Sequence, residues 1–114
     1  MHEYSLVQAL LDRVEAEARS RSALAVHRVV VSVGELSGVD PQLLATAYET
    51  FRAGTACQGA ALELRRVEAG WACPACRRPI PRGAPLACPE CGSPAELPPG
   101  ADQILLERVE MEVP

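Results

Sequence analysis

The sequence predicts an α+β fold in which two helices pack on a roughly three-stranded mixed sheet, with a small cysteine-bearing module inserted ahead of the last strand. Three observations carry this expectation. Helical and strand periodicities alternate along the first 69 residues. Four of the five cysteines form two Cys-x-x-Cys pairs, at 73/76 and 88/91. Proline and glycine concentrate around those pairs, with eight of the ten prolines and four of the eight glycines in residues 70–100. Such a stretch buries too little apolar surface to offset its ordering entropy. Metal binding by the cysteines supplies the missing energy, since structural zinc is worth roughly 10–16 kcal/mol. The expected organisation is a domain split in sequence, 1–69 plus 101–114, around a metal-folded insert, 70–100.

Each element has its own signal. Leu6, Val7, Leu10, Leu11, Val14 and Ala18 form the apolar stripe of an amphipathic helix. Ser5 and Gln8 have capping-box spacing, which places the helix start at or just before Ser5. Val26 to Glu35 is short and rich in valine, a strand ended by the turn residues Gly34 to Gly38. Asp40-Pro41 opens a second helix, with an N-cap acceptor ahead of a proline in the first turn. Leu43, Leu44, Ala47, Tyr48 and Phe51 repeat the stripe, and Gly54 closes it. Ala61 to Glu68 places Leu62 and Leu64 on one strand face. From Gln103 to Val113, Val109, Met111 and Val113 alternate with Glu110 and Glu112, a half-exposed strand. The acidic stripe of Glu107, Glu110 and Glu112 reads as its solvated side.

Composition excludes several function classes. The net charge is −4, and all eleven cations are arginine, which disfavours a generic nucleic-acid binder. The longest aliphatic run is Ala23–Val26, far short of the ~20 apolar residues a spanning helix needs, so no membrane role is expected. Met-His-Glu-Tyr-Ser carries no basic n-region, so a secretory signal is not expected and the cytoplasm is. No serine or cysteine has a base in view and no glycine-rich phosphate loop occurs, so the chain is not expected to be an enzyme.

The cysteine pairs are Cys73-Pro74-Ala75-Cys76 and Cys88-Pro89-Glu90-Cys91-Gly92. A Cys-x-x-Cys turn aims both sulfurs into one cup, and two such knuckles give a zinc-ribbon-like tetrahedral thiolate array. Zinc suits these ligands; iron in a rubredoxin-like site uses similar knuckles, and spacing alone leaves both open. Four protein ligands leave no position for a catalytic water, so the site is structural. A binding ribbon for nucleic acid or a protein complex is the alternative. Against it, Arg77, Arg78 and Arg82 face Glu90 and Glu96 for a local charge of only +1, and Trp71 is the one aromatic, expected to pack on the knuckle.

The amino terminus is the second candidate site. The Met1 α-amine, the backbone nitrogen of His2 and the His2 imidazole can close fused chelate rings on one metal. Glu3 can add a backbone nitrogen or its carboxylate. Nitrogen-rich planar sets of this kind suit Ni(II) or Cu(II). His27 reads as a surface strand histidine, and Cys57 as a small buried hydrophobe with no cation beside it to activate the thiol.

The opening Met-His-Glu, the stretch Val33-Gly34-Glu35-Leu36-Ser37-Gly38-Val39-Asp40-Pro41, the Gly54-Thr55 … Gly59-Ala60-Ala61-Leu62-Glu63-Leu64 segment and the paired knuckles together resemble the HypA/HybF family, the nickel-insertion accessory proteins of [NiFe]-hydrogenase maturation. The resemblance runs through the whole chain in order. It implies a nickel metallochaperone or scaffold with an α/β nickel-binding domain and a four-cysteine zinc domain before the last strand. It assigns Ni(II), as transient cargo, to Met1, His2 and Glu3, and structural Zn(II) to Cys73, Cys76, Cys88 and Cys91. It also implies a HypB-type GTPase and a hydrogenase large-subunit precursor as partners. Gln58 stands where the family often has glutamate, and no histidine accompanies the knuckles.

Overall fold

The computed structural model describes residues 2–81, 83 and 85–114, His2 as backbone only. Met1, Arg82 and Ala84 lie outside the described residues. The chain runs α1 (His2–Ser20), β1 (Ala25–Gly34), α2 (Pro41–Phe51), β2 (Ala61–Val67) and β3 (Ile104–Glu112). Two helices and a three-stranded mixed sheet are the expected elements. The sheet order is β2-β1-β3, with β1 parallel to β2 and antiparallel to β3. A parallel pair needs a crossover, and α2 provides it between β1 and β2.

The core lies between the helices and one face of the sheet. Val7, Leu11, Val14 and Ala18 of α1 meet Leu44, Ala47 and Tyr48 of α2 over Val29, Val31 and Val33 of β1. Leu62 and Leu64 from β2 and Leu106, Val109 and Met111 from β3 pack around this cluster from the flanking strands. Each valine or leucine fully buried this way contributes about 1.5–3 kcal/mol relative to exposure. Tyr48, wholly buried, keeps its phenol satisfied by donating to Ala60 O at 2.9 Å. Cys57 is buried in the same core, as expected of a small hydrophobe. Burial raises its thiol above the ordinary range, the opposite of what a reactive cysteine needs.

One boundary differs in a way that bears on function. Helix α1 starts at His2, so Ser5 sits inside the first turns instead of capping them. Tertiary contacts stabilise the earlier start: the Tyr4 ring meets Phe51 of α2 edge to face at 5.2 Å. The second helix opens as expected, with Asp40 Oδ1 accepting from the amides of Gln42 and Leu43. That helix ends at Phe51, before Gly54, whose φ of +76° belongs to the following turn. Gln58 there accepts from the Gly54 amide at 3.1 Å, a bond its side-chain carbonyl makes without a charge.

The other face of the sheet is a charge ladder. Arg28 bridges Glu63 on β2 at 2.7 Å and Glu110 on β3 at 3.7 Å. Arg65 reaches Glu63 and Glu107, and Arg108 reaches Glu110. The acidic stripe read from the sequence is thus interleaved with arginines. His27 lies exposed on β1, 3.4 Å from Glu112. Among the described residues, no helix is long and apolar enough to cross a membrane.

Candidate metal centres

The polypeptide leaves and re-enters the sheet at one place, the turn after β1. Glu35 N donates to Val67 O, and the Glu35 carboxylate accepts from Ala69 N at 2.9 Å, holding the outgoing chain. Leu36 N donates to Ala101 O and Gly34 N to Gln103 O, each at 2.8 Å, holding the returning chain. The return passes so close that a Cβ on Gly34 would lie 2.3 Å from Ala101 O. Nothing in residue spacing announces this double anchor.

Between the anchors, two knuckles repeat one hydrogen-bond pattern. Cys73 N donates to Arg78 O and Arg77 N to Cys73 O; Cys88 N donates to Ser93 O and Gly92 N to Cys88 O. Each turn needs a residue with positive φ at the same place, and these are Arg77 at 59° and Gly92 at 74°. Short antiparallel bridges close each knuckle, Ala72 to Pro79 in the first and Ala87 to Pro94 in the second, and a third, Ala72 to Glu96, ties the two together. The Cys76 amide donates to Cys73 Sγ at 3.3 Å, the amide-to-sulfur contact a knuckle is built to make.

The four sulfurs of Cys73, Cys76, Cys88 and Cys91 all lie within 4.8 Å of one another, a four-cysteine metal-binding site. Sulfurs at tetrahedral corners about 2.3 Å from a zinc ion are about 3.8 Å apart. Cys73 and Cys91 sulfurs stand 3.5 Å apart and Cys76 and Cys88 sulfurs 3.9 Å apart, so the donor set fits such an ion. Cys73 and Cys88 are buried while Cys76 and Cys91 face outward. Hydrogen bonds from the Ser93 hydroxyl and amide favour the Cys91 thiolate and draw it down to about 6. Cys76 is pushed up to about 12 by hydrogen bonding with Cys91 and the other thiols. Crowded thiols that cannot all ionise alone call for a cation. Ser93 is the contributor that sequence reading missed; its only signal is a hydroxyl two residues after the last cysteine.

At the other candidate site, the structure places part of the expected set. Met1 lies outside the described residues, and His2 contributes backbone at the head of α1. Glu3 follows in the first turn, where its Oε2 accepts from Asp40 N at 3.4 Å. The start of α1 is thereby set against the N-terminus of α2. His27 sits on β1 with Glu112 as its neighbour.

A sequence profile described as hydrogenase/urease nickel incorporation, metallochaperone, HypA matches residues 1–111. The chain belongs to the HypA family. Its relatives include the hydrogenase maturation factor HypA of Dechloromonas aromatica, 40% identical, with 98% of this chain and all of that protein aligned. Two solved HypA structures share the fold. One, the Ni metallochaperone HypA from Helicobacter pylori, superposes with a TM-score of 0.69 at 29% identity, covering 98% of each chain. Another HypA solution structure gives a TM-score of 0.74 at 32% identity, over 97% of this chain and 96% of that one. The four-cysteine site and the two-helix, three-stranded scaffold are therefore features of a nickel-metallochaperone family of hydrogenase maturation.

Proposed function

We propose that this HypA-family protein takes up Ni(II) at its amino terminus and hands it on during [NiFe]-hydrogenase maturation, without itself catalysing a reaction. The observation that carries the reading is the start of α1 at His2, with the Glu3 carboxylate against the N-terminus of α2. The candidate ligands, the Met1 amine, the His2 nitrogen and imidazole, and Glu3, are consecutive in sequence, and Glu3 is anchored at that end of α1. Nitrogen-rich sets suit Ni(II). Cys73, Cys76, Cys88 and Cys91 hold structural Zn(II), which supplies the folding energy of the insert 70–100; residues 1–69 plus 101–114 form the nickel domain. The partners are a HypB-type GTPase and the hydrogenase large-subunit precursor, in the cytoplasm.

Lengthening the chain by one glycine before Met1 tests this directly. Every side chain stays, but the free amine moves one residue from the imidazole. Nickel affinity measured by calorimetry should collapse, as it should in His2→Ala, with zinc content unaltered. Binding should also weaken as pH falls from the high sevens toward six, because the amine (reference pKa about 7.7–8.0) and the imidazole (about 6.5) must both lose protons. Undiminished nickel affinity in the extended protein, confirmed intact by mass spectrometry, refutes the amine as a ligand.

A further inference from the structure

We propose, on the reading that the four cysteines hold zinc, that Cys76 is a modification site: the thiolate at which a peroxide opens the cluster, with Cys88 closing on it as a disulfide. Two of the four ligands are shut away, Cys73 at 1% exposed and Cys88 at 3%, while Cys76 and Cys91 face outward. An oxidant arriving from solvent therefore meets Cys76 or Cys91 first.

The surroundings of the two outward sulfurs separate them. Ser93 Oγ lies 3.2 Å from Cys91 Sγ, and because a metal-bound thiolate carries no proton, that hydroxyl is the donor. A donor on the sulfur stabilises the negative charge that an attack on an electrophile must give up. Cys76 has no such cover: among the described residues its sulfur meets another sulfur, that of Cys88 at 3.9 Å. Its own amide donates at 3.3 Å to Cys73 Sγ, so it shields the buried neighbour and not itself. Charge points the same way. Arg77 follows Cys76 and makes no ion pair among the described residues, whereas Glu90, held by Arg78 at 3.5 Å, precedes Cys91. Hydroxide leaves when a peroxide is attacked, and a nearby cation favours that charge where an anion opposes it.

The step balances with the peroxide as oxidant. The Cys76 thiolate attacks one peroxide oxygen: an S–O bond forms, the O–O bond breaks and hydroxide departs, leaving a sulfenic acid on Cys76. The Cys88 thiolate then attacks that sulfur, so the S–S bond forms as the S–O bond breaks and a second hydroxide departs. Two thiolates have given two electrons to one peroxide. Of the four ligands Cys73 and Cys91 remain, half of the set that a closed zinc site needs, and the ion is released.

Hydrogen peroxide, one equivalent on the zinc-loaded full chain, tests the site, with metal analysis before treatment and peptide mapping by mass spectrometry after it. The expected map shows a Cys76–Cys88 disulfide, zinc lost in proportion to it, and Cys57, 0% exposed in the core, still reduced. Dimedone, which traps sulfenic acids, should mark Cys76 first. Ser93→Ala should raise the trapping of Cys91 by roughly tenfold, the scale of a hydrogen bond to a charged group, and Ser93→Thr should restore the parent pattern. If Ser93→Ala does not retain zinc, the parent map and Ser93→Thr decide alone. First oxidation at Cys91, a first disulfide between any other pair, or cysteines left reduced with zinc in place overturns the proposal and leaves zinc binding standing. So does trapping at Cys91 that ignores the loss of the Ser93 hydroxyl. An untreated chain without zinc overturns the zinc reading itself, and the proposal with it.

Discussion

The layered core and the cysteine module are held together by different forces, and the contrast shows where each draws its stability. In the core, Val7, Val14, Val29, Val31, Leu44 and Tyr48 are almost wholly removed from water, and apolar burial supplies the stability. Among the described residues of 71–99 the buried side chains are Cys73, Cys88 and Ile80, so two of the three are thiols. A region with so little apolar burial depends on its ligands for order. The lesson is that a module with few buried apolar side chains can be folded by its ligands, whereas the layered core stands on apolar burial.

The largest expected effect breaks the module and spares the core. Cys73→Ser removes one of four thiolates, and with it most of a contribution on the order of 10–16 kcal/mol. Zinc content should fall below one ion per chain and amide signals of 71–96 should collapse, while helical circular dichroism persists. Full zinc retention would contradict the four-thiolate site.

Leu44→Ala is the converse experiment. Leu44 is 1% exposed in the centre of the core, and truncation there should cost about 2–5 kcal/mol. Chemical denaturation should lower the midpoint of the helical transition, with zinc retained in the native protein. A variant that loses zinc and helix together would show that the two regions share one source of stability.

Gly34→Ala strikes the seam between them. A methyl 2.3 Å from Ala101 O, a backbone atom, cannot be accommodated by a side-chain swing. Overpacking of this kind costs roughly 1–3 kcal/mol. Because the returning chain must move, exchange at the Leu36 amide, which donates to Ala101 O, should accelerate. Unchanged protection at Leu36 would mean that the close approach does not hold the seam.

The smallest effects sharpen the comparison inside the module. Gly92→Ala places a side chain at φ +74° with open space around it, so the cost is backbone strain alone, about 1 kcal/mol. Arg77→Gly relieves the same strain in the first knuckle, where φ is 59°. Zinc competition with a chelator should show the first variant releasing metal sooner and the second no sooner than the parent. Opposite behaviour would remove the equivalence of the two turns.

Much of the fold is legible in the residues themselves. The stripes of Leu6 to Ala18 and Leu43 to Phe51, the Asp40-Pro41 opening and the alternation after Gln103 are local patterns with local causes, and the helices and strands lie where these signals fall. The two Cys-x-x-Cys pairs announce a metal site because knuckle geometry depends on near neighbours. The start of α1 is the exception. A capping-box signal weighs only nearby residues, whereas Tyr4 meets Phe51, which lies a helix, a strand and most of a second helix further along the chain.

Residue order thus supplies the list of parts: the apolar faces, the four thiols and the motifs that mark the family. It does not say which strand lies in the middle, how Arg28 comes to bridge Glu63 and Glu110, or why Gly34 tolerates no side chain. Those features exist only in the folded molecule, and the range of the interactions explains the division. Periodicity and turn chemistry act over a few residues, while charge ladders and close backbone approach depend on segments brought together only after the chain has folded.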